Sequence, residues 1–235
     1  MSAKKWKGAA IATAAISAAL ASTAKAADAL SLDELIAKIR DKNDKVRAEA
    51  MFGAGKVGAR AVKPLAEVMA TDADFEIARA ARRAMWQIVR SVGRPGADRE
   101  RKATVAELLP LVGEGRPAAV RREAMWMLSE IAGDEAVAPA AAVLKDKELR
   151  EDARMVLQRL PGEKSLAALK AGLAAAPEDF KPNIASSLRA RGVETPGIPN
   201  ERRVPKKSTD VKPLDEAQLE KEKAAKTPRR RGNKQ

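Results

Sequence analysis

No cysteine, histidine or tyrosine occurs in the 235 residues, and phenylalanine and tryptophan appear only three times each. Those absences remove whole classes of chemistry. Without histidine there is no imidazole general base, and without cysteine there is no thiolate nucleophile and no disulfide. Without either there is no zinc site of the usual kinds. A carboxylate-only metal site would need acidic residues spaced as in a calcium loop, and none are. Pairs such as Asp33/Glu34 and Glu151/Asp152 read as solvated helix faces. The chain is therefore expected to be no enzyme and to carry no cofactor or metal. With so few aromatics the core must be built from Ala and Leu, which suits thin, regularly stacked helices better than a deep globular interior.

What the chain does contain is a recurring amphipathic pattern. In Val120–Gly133, Val120, Ala124, Met127, Leu128 and Ile131 fall on one side of a helix, while Arg122, Trp126, Ser129 and Glu130 fall on the other. Pro117 sits where a helix start tolerates proline, and Gly133 where a left-handed C-cap is expected. The pattern returns at Val46–Phe52 with Val57-Gly58, at Ala84-Met85-Trp86 with Val92-Gly93, and at Leu149–Ala153 with Leu157, Leu160 and Gly162. A weaker copy is Phe180-Lys181 with Ile184, Leu188 and Gly192. Aligning Ala50, Ala84, Ala124, Ala153 and Ile184 gives intervals of 34, 40, 29 and 31 residues. All-helical periods of that size signify stacked helix pairs.

The Val-Arg opening, the small residues and Leu that follow, and the Ile/Val-Gly close resemble the HEAT repeat, and more closely its short variant named after the phycobilisome lyases. The likeness covers about residues 31–192. It implies an all-α, right-handed superhelix of about five helix pairs, and says little about function, because that family ranges from lyase subunits to scaffolds. With no Cys, His or Tyr, a lyase activity is not carried over. In such solenoids an Asp near a turn meets an Arg of the neighbouring repeat. Arg47, Arg121 and Arg150, each three residues before the aligned position, resemble that ladder, with Asp44, Glu114 and Asp146 as acidic partners.

Local signals place the pairs. Ser31-Leu32-Asp33-Glu34 is a capping box opening the first helix, and Asn43 and Asp44 cap its partner. Later pairs are expected at Arg60–Ala70 with Phe75–Val92, Arg99–Val112 with Pro117–Ala132, Asp134–Leu144 with Lys147–Leu160, and Glu163–Ala175 with Asp179–Arg191. Pro64, Pro110 and Pro139 fall in first helices, where proline kinks the helix or displaces its start. The Gly/Pro-containing stretch at Ser91–Asp98 accounts for the longest interval and is either a spacer or a contact element.

Residues 1–26 read as a secretory signal peptide. Lys4, Lys5 and Lys7 precede an Ala-rich apolar run from Gly8 to about Thr23, and Ala24-Lys25-Ala26 offers small residues for cleavage. The run is short for a membrane helix, so no stable span is expected after cleavage. Residues 27–192 would then form the repeat domain of an exported protein, periplasmic or secreted. From Val193 periodicity is lost, and 193–235 read as a disordered basic tail with a net charge of +5 and one concentrated cluster, Arg229-Arg230-Arg231.

The aromatics mark the candidate site. Phe52, Trp86 and Trp126 each stand two residues after the aligned Ala, about 200° around the helix, and Met155 completes the row. Arg82, Arg90, Arg122 and Arg159 lie one turn before or after members of the row. Either the row faces a concave groove and, with its arginines, receives a partner by stacking and cation–π contact, or each Trp lies sideways in the seam between neighbouring second helices. The expected function is a non-enzymatic protein–protein interaction scaffold of the cell envelope. The alternative is a charge-driven binder of nucleic acid or of an anionic envelope polymer through the tail arginines. An export signal disfavours nucleic acid, since it keeps the chain away from DNA.

Overall fold

The capping box at Ser31 forms as the sequence predicts. Ser31 N donates to Glu34 Oε2 at 2.8 Å, and Glu34 N donates to Ser31 Oγ at 3.1 Å. In the computed structural model, residues 30–200 are described, so the signal region 1–26 and the cluster Arg229-Arg230-Arg231 lie outside the described residues. Among the described residues the chain is all-helical, with no strand. The α-helices are α1 (Leu32–Ile39), α2 (Asp44–Val57), α3 (Val62–Thr71), α4 (Phe75–Val92), α5 (Asp98–Leu108), α6 (Ala118–Ile131), α7 (Val137–Val143), α8 (Arg150–Arg159), α9 (Glu163–Ala175) and α10 (Lys181–Ala190). Short 3₁₀ turns at Ala59–Ala61, Leu109–Val112 and Asp134–Ala136 adjoin α3, α5 and α7.

Each odd-numbered helix packs on the even-numbered helix that follows it, and each even-numbered helix packs on the next, α2 on α4, α4 on α6, α6 on α8 and α8 on α10. The aligned positions explain why. Ala50, Ala84, Ala124, Ala153 and Ile184 are all fully buried. Four small methyl side chains at these positions leave room for close packing of helices, and Leu35, Leu65, Leu111, Leu128, Leu157 and Leu169 are buried in the same core. The same logic accounts for Gly55. A Cβ there would lie 3.0 Å from the Cβ of Ser91, so α2 and α4 touch almost backbone to side chain. Ser91 Oγ donates to the carbonyls of Ile88 at 2.7 Å and Gly55 at 3.3 Å across that contact.

Two boundary expectations, those at Gly133 and Lys147, are corrected. Gly133 does not adopt the left-handed C-cap. Its φ and ψ are −115° and −138°, and α6 ends because Ala132 turns extended, which feeds the chain directly into a 3₁₀ turn. Of the two outcomes expected for proline, Pro64 and Pro139 take the one near the helix start rather than a kink in the interior. They are the third residues of α3 and α7, where the amide that proline lacks would have had no intrahelical partner. Pro110 instead ends α5 in a 3₁₀ turn. The helix expected from Lys147 starts at Arg150, because Asp146 Oδ1 holds the amides of Glu148 at 3.0 Å and Leu149 at 3.4 Å in a turn. Helix ends with α10, and 193–200 continue without it. Arg189 donates to the carbonyl of Pro199 at 3.0 Å and to the hydroxyl of Thr195.

The α2–α4 contact gives a direct test. Gly55→Val should lower stability by about 1–3 kcal/mol, the usual cost of overpacking. Adding Ser91→Gly should recover part of that loss in chemical denaturation. Purely additive effects would show that the two positions do not share the contact.

Candidate partner-binding face

The even-numbered helices carry the predicted row of apolar side chains, and the seams between them decide what each member does. In the seam between α4 and α6, Arg82 Nη1 donates to Glu123 Oε1 at 2.9 Å and Trp86 Nε1 donates to Glu123 Oε2 at 2.9 Å. The next seam repeats this with different residues. Arg122 Nε donates to Asp152 Oδ2 at 3.0 Å and Trp126 Nε1 to Asp152 Oδ1 at 2.8 Å. One helix thus supplies an Arg and a Trp one turn apart, and the following helix supplies a carboxylate directly before its aligned Ala. Both oxygens of each carboxylate are occupied. The Asp152 side chain is only 14 % exposed, so these are partly desolvated, charge-assisted bonds.

The two Trp residues therefore lie in the seams with their indole N–H groups engaged. Trp86 is half-buried against the core, whereas Trp126 keeps 37 % of its surface exposed. Arg82 and Arg122 are committed to seam carboxylates. Arg159 is committed to Glu130 Oε1 at 2.6 Å and Ser129 Oγ at 3.1 Å across the α6–α8 seam. Met155 packs half-buried on the core. Two members of the predicted set remain open. Phe52 is 67 % exposed, and Arg90 is exposed with no ion pair or hydrogen bond to a side chain among the described residues.

Phe52 and Arg90 share one recess. A hollow of about 480 Å³ between α2 and α4 is lined by Met51, Phe52, Arg82, Arg83, Trp86, Gln87 and Arg90. It adjoins a wider hollow of about 1240 Å³ that shares Phe52, Gln87 and Arg90 and adds Lys56, Arg60, Arg94, Arg99 and Glu100 among its walls. The Ser91–Asp98 stretch borders this second hollow through Ser91, Val92 and Arg94. Arg83 and Gln87 were not singled out by sequence reasoning. The signal was available, because the residue before the aligned Ala is Glu123 in α6 and Asp152 in α8 but Arg83 in α4.

The Arg/Asp pairs across neighbouring turns form at two places. Arg121 Nη1 donates to Asp146 Oδ2 at 2.8 Å while its Nε donates to the Val112 carbonyl at 3.0 Å. Arg150 Nη2 donates to Asp179 Oδ2 at 2.6 Å, with its guanidinium 4.5 Å from the centroid of the Phe180 ring. Arg47 departs from the pattern. It turns back on its own loop, donating to the carbonyls of Asp41 and Lys42 at 2.8 Å each, and the corresponding turn pair is made by Arg40 and Asp72 at 3.5 Å. Asp44 and Glu114, the other acidic residues predicted for the ladder, pair with no arginine among the described residues.

Burial pushes the Asp146 carboxyl up, but the Arg121 guanidinium and the amides of Glu148 and Leu149 together outweigh it and hold the group below the usual carboxylate range. For Asp179 the hydrogen bond from Arg150 is the leading cause, and the direction is the same. Among the described residues no three acidic side chains converge as a metal site requires, and no helix is long and apolar enough to cross a membrane.

Two predictions follow from these pairs. Since Asp146 titrates lower in the folded chain, the unfolded chain takes up its proton first as pH falls. The stabilisation is complete above the unfolded value near 4 and is lost through the lower folded value. The difference in Tm between wild type and Asp146→Asn should stay constant from neutral pH to about pH 5 and close below about pH 4. A constant difference down to pH 2 would contradict the assignment. In the seam, Trp126→Phe should cost about 1 kcal/mol, and a double-mutant cycle with Asp152→Asn should show a coupling energy clearly different from zero by urea denaturation. Compared with known proteins, the chain matches no family model and no curated protein.

Proposed function

We propose that this chain is a non-enzymatic protein–protein interaction scaffold of the cell envelope, a right-handed superhelix of HEAT-like pairs that receives a partner segment along the face of its even-numbered helices. The observation that carries this reading is the exposed Phe52 beside the unpaired Arg90 in an open recess on that face. The pairwise packing of odd and even helices supports the repeat architecture. What sets Phe52 apart from Phe75, which is 73 % exposed but lines neither hollow, is its place in a recess beside an uncommitted guanidinium, where a partner finds an apolar and a charged contact together, as at interface anchors. Export rests on Lys4, Lys5, Lys7 and the apolar run that follows them.

A charge-driven reading has one specific observation in its favour. Lys56, Arg60, Arg83, Arg90 and Arg99 border the two hollows and have no acidic partner among the described residues. On that reading, affinity for nucleic acid or anionic envelope polymer falls linearly with salt on a log–log plot and depends on Arg229, Arg230 and Arg231.

The deciding experiment is capture from envelope extract on immobilised protein at low and high salt, with bound species identified by mass spectrometry. The scaffold reading expects discrete proteins that survive high salt and removal of residues 201–235, and that are lost with Phe52→Ala/Arg90→Ala. Capture of anionic polymers alone, abolished by salt and by the truncation, would replace it with the charge-driven reading.

A further inference from the structure

The seams of this molecule display a repeated way of holding a carboxylate. In the α4–α6 and α6–α8 seams, an Arg and a Trp on one helix grip an acidic side chain of the next helix. The α2–α4 seam breaks the pattern at every position. Where α4 and α6 carry Arg82 and Arg122, α2 carries Ala48. Where they carry Trp86 and Trp126, α2 carries Phe52, which has no N–H to donate. Where α6 and α8 carry Glu123 and Asp152, α4 carries Arg83. The first seam thus holds cations and an aromatic face, and among the described residues no carboxylate pairs with Arg83 or Arg90, although Asp44 borders a small hollow with Arg83.

We propose that this recess binds an acidic peptide segment of a partner protein, with a carboxylate taken by Arg83 and Arg90 and an adjoining apolar side chain seated on Phe52. The proposal rests on the scaffold reading and names the chemistry of its partner. Arg83, Gln87 and Arg90 recur at helical spacing on one face of α4, and the two guanidinium-bearing positions are about 10 Å apart along the axis. Both arginines are exposed and unpaired among the described residues. Beyond Arg83 lies a small hollow that also contains Asp44 and Glu76, but Glu76 is already paired with Arg79 at 2.5 Å.

Charge complementarity selects the occupant. Planar guanidinium groups match carboxylates in bidentate geometry, and Phe52 at 67 % exposure gives an apolar neighbour a surface to cover. The continuation into the wider hollow, past Lys56, Arg60 and Arg99 with Glu100 as its one acidic wall residue, suits an extended chain carrying further carboxylates better than a single small anion. The apolar contact at Phe52 favours a peptide over an anionic polymer without bases or apolar groups, while a nucleic acid could stack a base on the ring, which is why single-stranded DNA is an arm of the test.

The test uses the full-length chain and a labelled peptide of about twelve residues built from Glu-Leu-Asp repeats, compared with its Gln-Leu-Asn counterpart and with single-stranded DNA of equal charge, by fluorescence anisotropy. Wild type should bind the acidic peptide and not the amide version. Arg83→Gln/Arg90→Gln should weaken binding at least tenfold, and Phe52→Ala several-fold. Arg159→Gln, in a different seam, should leave it within twofold. Arg83→Glu/Arg90→Glu should exchange the preference for a Lys-Leu peptide. All substituted side chains are exposed, and thermal melts confirm folding. Absence of wild-type binding, insensitivity to Arg83→Gln/Arg90→Gln, or equally tight DNA binding with the same variant dependence would each overturn the proposal. If peptide binding fails while envelope proteins are still captured through Phe52 and Arg90, the acidic chemistry falls and the scaffold reading stands. If both fail, the scaffold reading falls with it.

Discussion

Close contact between consecutive even-numbered helices is the constraint on which the rest of the structure depends. At the α2–α4 contact it is made possible by Gly55 against Ser91, and along the series the aligned positions Ala50, Ala84, Ala124 and Ala153 are small and fully buried. Tight contacts of this sort gain dispersion energy in many small increments and leave no room for a large side chain. Trp86 and Trp126 lie along the later seams, where their indole N–H groups meet carboxylates of the next helix.

The seams are chemically graded along the chain. The α4–α6 and α6–α8 seams are closed by Arg, Trp and a carboxylate. The α8–α10 seam is closed by a buried polar network in which Arg154 reaches Glu151, Gln158 and Ser187, and Asn183 donates to Glu151. Arg191 adds a further tie, donating to the carbonyls of Leu157, Leu160 and Gly162 and to Ser165 Oγ. Groups so well satisfied fix the register of one helix on the next more than they add net stability. The α2–α4 seam is closed mainly by packing, with one hydrogen bond from Ser91 Oγ to the Gly55 carbonyl at 3.3 Å, and leaves Arg83 and Arg90 unpaired among the described residues. Unpaired arginines among the described residues are concentrated at this end of the repeat, at Arg60, Arg83, Arg90 and Arg99 together with Lys56, whereas the later seams hold theirs in internal pairs.

Much of the fold was legible because its signals are local. A capping box at Ser31, an Asx cap at Asn43, and apolar residues at helical spacing each act within a few residues, and the pairs they define were placed to within about three residues at nearly every end. The features that local signals left undecided or misplaced were those with two local solutions. Gly133, expected to close α6 in a left-handed conformation, is bypassed by an extended Ala132, and Pro64, which could bend a helix or stand near its start, does the latter. Which solution holds depends on where the next element packs.

The sequence by itself determined the helices, their pairing and the shared orientation of Phe52, Trp86, Trp126 and Met155, because helical periodicity places equivalent positions on equivalent faces. Only the tertiary structure decided which of those side chains are spent and which are available. Arg82 and Trp86 are consumed by Glu123 from 41 and 37 residues away, and Arg122 and Trp126 by Asp152 from 30 and 26. Arg83 and Arg90 meet no such partner. Local periodicity cannot distinguish these cases, since a guanidinium is neutralised by whatever charge the fold brings within hydrogen-bonding distance, and that distance is set by how one helix crosses the next.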